Sequence, residues 1–366
     1  MGALNDMRGQ RGAIASLALN YGIDAFAQSI PLLSASTGIS MRELGDAATF
    51  CREVIDPSQP RVANQHLVTQ SILRNFSLHQ NNGYRLREFD LARGLKRGTT
   101  SVKRACVVEN FIKLDSQRSE DHWGGFESRF PEAIRSAEDA TLFSRPDLIG
   151  VIKDILALHF ARSHEIRVSV QAIRAPGISE FMKAVGLDDA WLSQAHLDRF
   201  GFEITDMSVA LERVEAAIAE EFDSRTGMGI YFRLRIPDYL QRAREILAQF
   251  KIQILRPTSA TDEFLIGDNP LITPDKSGTR LGILDGLPIG NAATVIMPLS
   301  PRISVALDKI ESDIGINSKR VYQLNQFQIR KARESVFFRP GSNLEITMAT
   351  VVEMVSNVAR WTVDST

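Results

Sequence analysis

Cysteine is nearly absent: Cys51 and Cys106 are the only two in 366 residues. Two thiols build neither a disulfide framework nor a cysteine-ligated zinc site, and their scarcity suits a reducing, cytoplasmic setting. Net charge is equally slight, −1 from 43 basic and 44 acidic residues. The molecule as a whole therefore advertises neither nucleic acid nor an anionic membrane as partner, and any such partner must be read from local patches. Long apolar runs are missing, so no membrane span is expected. Residues 12–20 are too short and too polar at their end for a signal peptide and read as a helix. No GxGxxG follows a strand, and there is no Walker loop, HExxH, GxSxG or CxxC, which leaves nucleotide-fold and zinc-protease readings without support. Nor is there an internal repeat or a low-complexity tract.

What is present is a globular composition, 44% hydrophobic and 24% charged, enough for one large core or two smaller ones. Residues 1–58 read as a helical N-terminal extension. Ser40 with Glu43 forms a capping box, and Ile39 with Leu44 the matching staple, so a helix is expected from Met41 with Leu44, Ala48, Cys51 and Ile55 on its buried stripe. Pro57 and Pro60 end it, because the residue before a proline avoids helical geometry. The stretch is not basic and lacks a helix-turn-helix turn, so packing or homo-oligomerisation is preferred for it over DNA binding.

From residue 59 an α+β domain is expected, mostly helical, with a basic hairpin near 84–108 and a C-terminal mixed or antiparallel sheet. Residues 84–90 alternate as a strand with one wet face should, and the segment 101–108 is the expected other arm. Arg85, Arg87, Arg93, Lys96 and Arg97, with Lys103 and Arg104, make this the most basic patch of the chain, suited either to a nucleic-acid backbone or simply to a solvated hairpin. A helix over about 120–134 puts Glu127 among Trp123, Phe130 and Ile134, with Pro131 set to kink it. A carboxylate on an apolar face must be paired, hydrogen-bonded or protonated. A helix over about 147–167 brings His159 and Arg162 onto its aliphatic stripe, where the guanidinium needs an acceptor, with Glu127 and Asp268 the distant candidates. A further packing stripe, Met207, Leu211, Val214 and Ile218, carries no visible chemistry. Strands are expected at 251–255, 263–266, 293–297, 303–307 and 336–338, a helix at 318–332, and a long surface loop at 272–292.

The succession of His66-x-x-x-Gln70-x-x-Leu73-x-x-Phe76, a charged strand, the helix around Glu127, the helix ending near Arg162, Gly267-Asp268-Asn269-Pro270, Pro298-Leu299-Ser300-Pro301, and Asn325 ahead of Ala332 resembles the bacterial family called domain of unknown function 4238, over about residues 59–340. After Arg162 the chain departs from the family's pattern, with Ser163-His164 in place of Thr-Pro. The resemblance implies positions to watch, namely His66, Gln70, Glu127, Arg162, Asp268 and Asn269, and no established reaction. Two readings of these residues stand side by side. In the preferred one they form a buried hydrogen-bond network inside a binding or regulatory module. In the other, Glu127 and Asp268 hold a divalent metal, His66 activates water, and Arg162 steadies a phosphate, making a nuclease or phosphodiesterase of the toxin or phage-defence kind. A catalytic cluster should open to a cleft, whereas a structural one should be dry and satisfied.

Overall fold

The computed structural model describes residues 9–56, 58–80, 83–113, 115–172, 189–203, 206–214, 216–217 and 229–348. The chain folds as two compact units that share it discontinuously. The first takes residues 1–63, 110–119 and 166–239; the second takes 64–109, 120–165 and 240–366. The cut expected near residue 58 thus falls shortly before the chain passes from the first unit to the second.

The first unit is helical in its described part. Helix Met41–Ile55 starts as its sequence requires: the Ser40 side chain accepts the Glu43 N–H at 3.2 Å. It stops at Asp56, whose extended backbone (φ −61°, ψ 114°) is what a residue ahead of Pro57 favours. Of its expected stripe, Leu44, Ala48 and Cys51 are buried with Ile14, Ala18 and Phe26 and with Ile230, Tyr231 and Leu234, while Val54 takes the last buried place and Ile55 is only partly buried. Helix Arg11–Tyr21 has no cap of its own side chains. Asp238 supplies one, its two oxygens accepting the N–H groups of Gly12 (3.0 Å) and Ala13 (2.9 Å). Gly12 allows this approach, because a Cβ there would overlap the Leu234 carbonyl. The expected packing stripe near 207 is helical over 207–214, and Ile218 lies outside the described residues.

The second unit holds all the described strands. They run β1 (Asn64–His66), β2 (Leu78–Gln80), β3 (Gly83–Asp90), β4 (Leu95–Ser101), β5 (Val107–Glu109), β6 (Lys251–Pro257), β7 (Ile266–Gly267), β8 (Ile296–Ser300), β9 (Ile303–Asp308), β10 (Ser312–Ile316) and β11 (Ser335–Phe338). β1 and β5 form a two-stranded ribbon. β3 lies between β4 and β11 in a sheet that continues to β7, and β10-β6-β9-β8 form a mixed sheet in which only β10 and β6 run parallel. The fold is therefore α+β, with the C-terminal mixed sheet expected of it.

Several elements differ from their expected bounds. β3 folds back after only four residues onto β4, and 107–109 pairs with β1 instead, because a short loop closes the hairpin with less lost entropy than a long one. The helix around Glu127 is two helices, Ser116–Glu127 and Phe130–Glu138. Pro131 occupies the first turn of the second, where its missing N–H costs nothing, rather than kinking one long helix. The helix expected to reach 167 likewise ends at Ala161, and another begins at His164. Of the strand expected at 263–266 only the end pairs with a neighbour, as β7.

The rest of that edge is completed by a helix. On helix Ser318–Lys331, Asn325 accepts the Leu265 N–H (3.0 Å) and donates to the Glu263 carbonyl (2.9 Å). One turn on, Gln328 accepts the Gly267 N–H (2.9 Å) and donates to the Pro270 carbonyl (2.7 Å). Two side-chain amides thus stand in for a missing strand and close an edge otherwise open to pairing. Gly267 is the residue that lets the helix come this close: a Cβ would lie 3.0 Å from that of Ala332.

Candidate functional site

The residues to watch fall into two groups, separated by the β1–β5 ribbon. In the first, Thr69 is central. Its hydroxyl donates to Glu127 Oε1 (2.9 Å) and accepts from Arg162 Nη2 (3.0 Å), while Arg162 Nη1 donates to the same Glu127 oxygen (2.9 Å). The guanidinium carbon lies 5.0 Å from the Trp123 ring centroid, a cation–π contact in a site where Arg162 is only 2% exposed. His159 Nε2 accepts the Thr69 N–H (3.3 Å), so its Nδ1–H donates to the Ile155 carbonyl (2.8 Å). Burial, with Arg162 nearby, drives the His159 pKa down to about 3, and the ring is neutral. At that value it cannot exchange protons near neutral pH and acts as a fixed hydrogen-bonding strut.

His66 is electrostatically coupled to Arg162 and Glu127, and burial lowers its pKa. Glu120, one to two turns before Glu127 on the same helix, belongs to the group too, its pKa raised by burial. Three buried atoms here have no hydrogen-bond partner among the described residues: His66 Nε2, Glu120 Oε1 and Arg162 Nε. Of the positions singled out in the sequence, His66, Glu127 and Arg162 therefore converge. Gln70 opens helix Gln70–Asn75 and makes no side-chain hydrogen bond among the described residues.

Asp268 does not join them. Its carboxylate accepts the N–H groups of Arg333 (2.7 Å), Glu334 (2.8 Å) and Ser335 (3.2 Å), fixing the turn into β11. Burial raises its pKa and these donors pull it back. It shares no contact with Glu127, and among the described residues no three His, Cys, Asp or Glu side chains are placed together to hold a metal ion.

Asp268 and Asn269 instead line the second group, a cleft of about 350 Å³. Leu67, the residue after His66, lines it with Cys106 and Val107, so the ribbon that carries His66 to the first group walls the second. Cys106 adopts a left-handed backbone (φ 56°), and burial beside Asp268 and Glu88 pushes its thiol well up, which leaves it un-ionised and a poor nucleophile. Three guanidiniums reach the cleft, from Arg97, Arg104 and Arg333. Arg97 is held by Asp90 and Glu88, and Arg333 donates to His164 Nδ1 (3.1 Å). Arg104 is exposed and has no side-chain partner among the described residues. Asn269 is 7% exposed, and its amide likewise has none.

The basic hairpin is partly neutralised by carboxylates of the fold. Arg87 and Lys96 both pair with Glu345, whose carboxyl Lys96 above all holds down at about 2. Arg93 and Arg97 share Asp90, and Arg85 has no ion pair among the described residues. Reading the sequence for apolar helix faces found Glu127, His159 and Arg162, and the family resemblance added His66, but neither singled out Thr69, Glu120, His164 or Arg333. Thr69 had a local signal, since it stands immediately before helix Gln70–Asn75 where a threonine normally caps; its hydroxyl is spent on Glu127 and Arg162 instead. His164 and Arg333 had none, because their pairing spans 169 residues.

The family model described as protein of unknown function (DUF4238) matches residues 64–342. No curated protein and no solved structure matches the chain. With well over half its length matched, the chain belongs to that family.

Proposed function

We propose that this member of the DUF4238 family is a binding module whose cleft takes a small polar molecule bearing an anionic group. Arg104, and beside it Arg333, would receive the anion, and the Asn269 amide would satisfy a donor and an acceptor on the same molecule. The observation that carries this reading is Asn269 itself: a residue only 7% exposed that lines a polar cleft and makes no side-chain hydrogen bond among the described residues, so its amide is left to a ligand or water. The Thr69–Glu127–His159–Arg162 group serves here as a strut that fixes the ribbon and the helices behind the cleft. The experiment is a thermal-shift panel of phosphates, nucleotides and carboxylates against uncharged analogues. Saturable stabilisation by an anion, absent for its neutral analogue, supports the reading, and a flat panel removes it.

A second reading keeps the chemistry at the first group, favoured by the unpartnered atoms of His66 and Glu120. In it a divalent ion recruited by Glu127 serves a nuclease or phosphodiesterase, with nucleic acid approached by Arg85, Lys103 and Arg104. Metal-dependent hydrolysis of nucleic acid that Glu127→Gln abolishes would put this reading ahead. Self-association through residues 1–58, where Leu32 and Met41 stand exposed, is tested by light scattering on the full chain. Residence in the cytoplasm of a bacterial cell completes the proposal, supported by the scarcity of cysteine, two residues that form no disulfide.

A further inference from the structure

A second groove, of about 230 Å³, lies within the same unit between the segment 261–265, helix Ser318–Lys331 and the turn leading into residues 344–348. Its exposed lining is mostly apolar, with Leu265, Val321, Ile329 and Met348 beside polar residues such as Ser318, Gln326 and Asn343, and two adjacent carboxylates, Asp262 and Glu263, line it too. Glu263 is only 6% exposed; one oxygen pairs with Arg339, and the other, Oε2, is buried with no partner among the described residues. Asp262 Oδ2 is likewise buried with no partner among them. The Asn325 amide is not free to help them, since it spends both its ends on the backbone of Glu263 and Leu265.

A buried carboxylate oxygen that accepts nothing is costly and calls for a donor from outside the chain. Two carboxylates against one guanidinium leave a charge of −1, which a single cation balances. Two carboxylates are too few for a divalent metal, and apolar walls suit a hydrated ion poorly. An ammonium has three donors for the two vacant oxygens, and an aliphatic stem suits the walls. We propose that this groove binds an alkylamine, its ammonium between Asp262 and Glu263 and its stem along Val321 and Ile329. The site is separate from the anion cleft and stands or falls independently of it.

The test uses the full chain and n-butylamine as probe, with butanol as the uncharged control at matched ionic strength, read by calorimetric titration. Saturable binding of the amine and none of the alcohol is expected. Asp262→Asn should weaken it about tenfold, the effect of neutralising one of two charged acceptors. That variant breaks no side-chain hydrogen bond among the described residues, so its unliganded thermal midpoint should not fall. Glu263→Gln should weaken binding too, although it also loosens Arg339. No saturable amine binding to the parent protein, or binding that Asp262→Asn leaves intact, overturns the proposal.

Discussion

Acid should strip a specific part of the fold's stability, and His159 sets how much. The neutral ring is 2% exposed and engaged at both nitrogens, so the fold resists its protonation down to about pH 3, whereas the unfolded chain protonates it near 6.5. The folded pKa is depressed, so the stabilisation is complete above about pH 6.5 and is lost as pH falls toward the folded value. At about 1.4 kcal/mol per pH unit, the gap between 6.5 and about 3 sets a ceiling of about 5 kcal/mol, with about 2 kcal/mol gone by about pH 5. His159→Gln removes the titration while keeping an acceptor for the Thr69 N–H. Urea unfolding of both proteins at a series of pH values from neutral to acid, followed by intrinsic fluorescence, gives the comparison. The parent should lose stability relative to the variant over that window, so that the two curves converge or cross. Parallel curves would show that the ring protonates readily within the fold and would refute its role as a neutral strut.

Three further outcomes follow from the packing. Arg162→Met should cost about 3 kcal/mol, since it leaves Glu127 and Thr69 without the guanidinium, and Glu127→Leu added to it should recover part of the loss; a strictly additive double variant in chemical denaturation would contradict a coupled pair. Asn325→Ala orphans the Leu265 N–H and the Glu263 carbonyl and should cost about 2–4 kcal/mol, with faster amide exchange at Leu265; unchanged exchange there would contradict the strand-substitute role. Gly12→Ala should destabilise the first unit by about 2 kcal/mol or more through overlap with the Leu234 carbonyl, and a thermal midpoint equal to the parent's would show that the helices separate freely.

Helix Met41–Ile55 was readable in the sequence because its start, stripe and stop are all set by neighbours: Ser40, Glu43, Leu44 and the proline after Asp56. The apolar-face argument also found that Glu127 and Arg162 each need a partner, since each breaks a stripe that burial makes costly for a lone charge, and it named Glu127 beside Asp268 as the acceptor for Arg162. What stayed hidden depended on distant partners. Asp268 at a strand end looks like a metal ligand, yet its oxygens are taken by three amides some 65 residues on. Asn325 and Gln328 look like ordinary polar helix residues, and only the tertiary fold sets them against an open strand edge. The hairpin's positive charge overstated its reach, because Glu345, far along the chain, pairs with two of its members. The passage of the chain between two units, at 63, 109, 119, 165 and 239, leaves no compositional mark.

The claim that the cleft, and not the buried network, is where this protein meets its ligand is tested most directly by titrating the best anion of the thermal-shift panel into four proteins. Calorimetry should give saturable binding to the parent, loss in Arg104→Ala and Asn269→Ala, and retention in Glu127→Gln. Binding that Glu127→Gln abolishes and the two cleft variants leave untouched would move the site to the network and contradict the account.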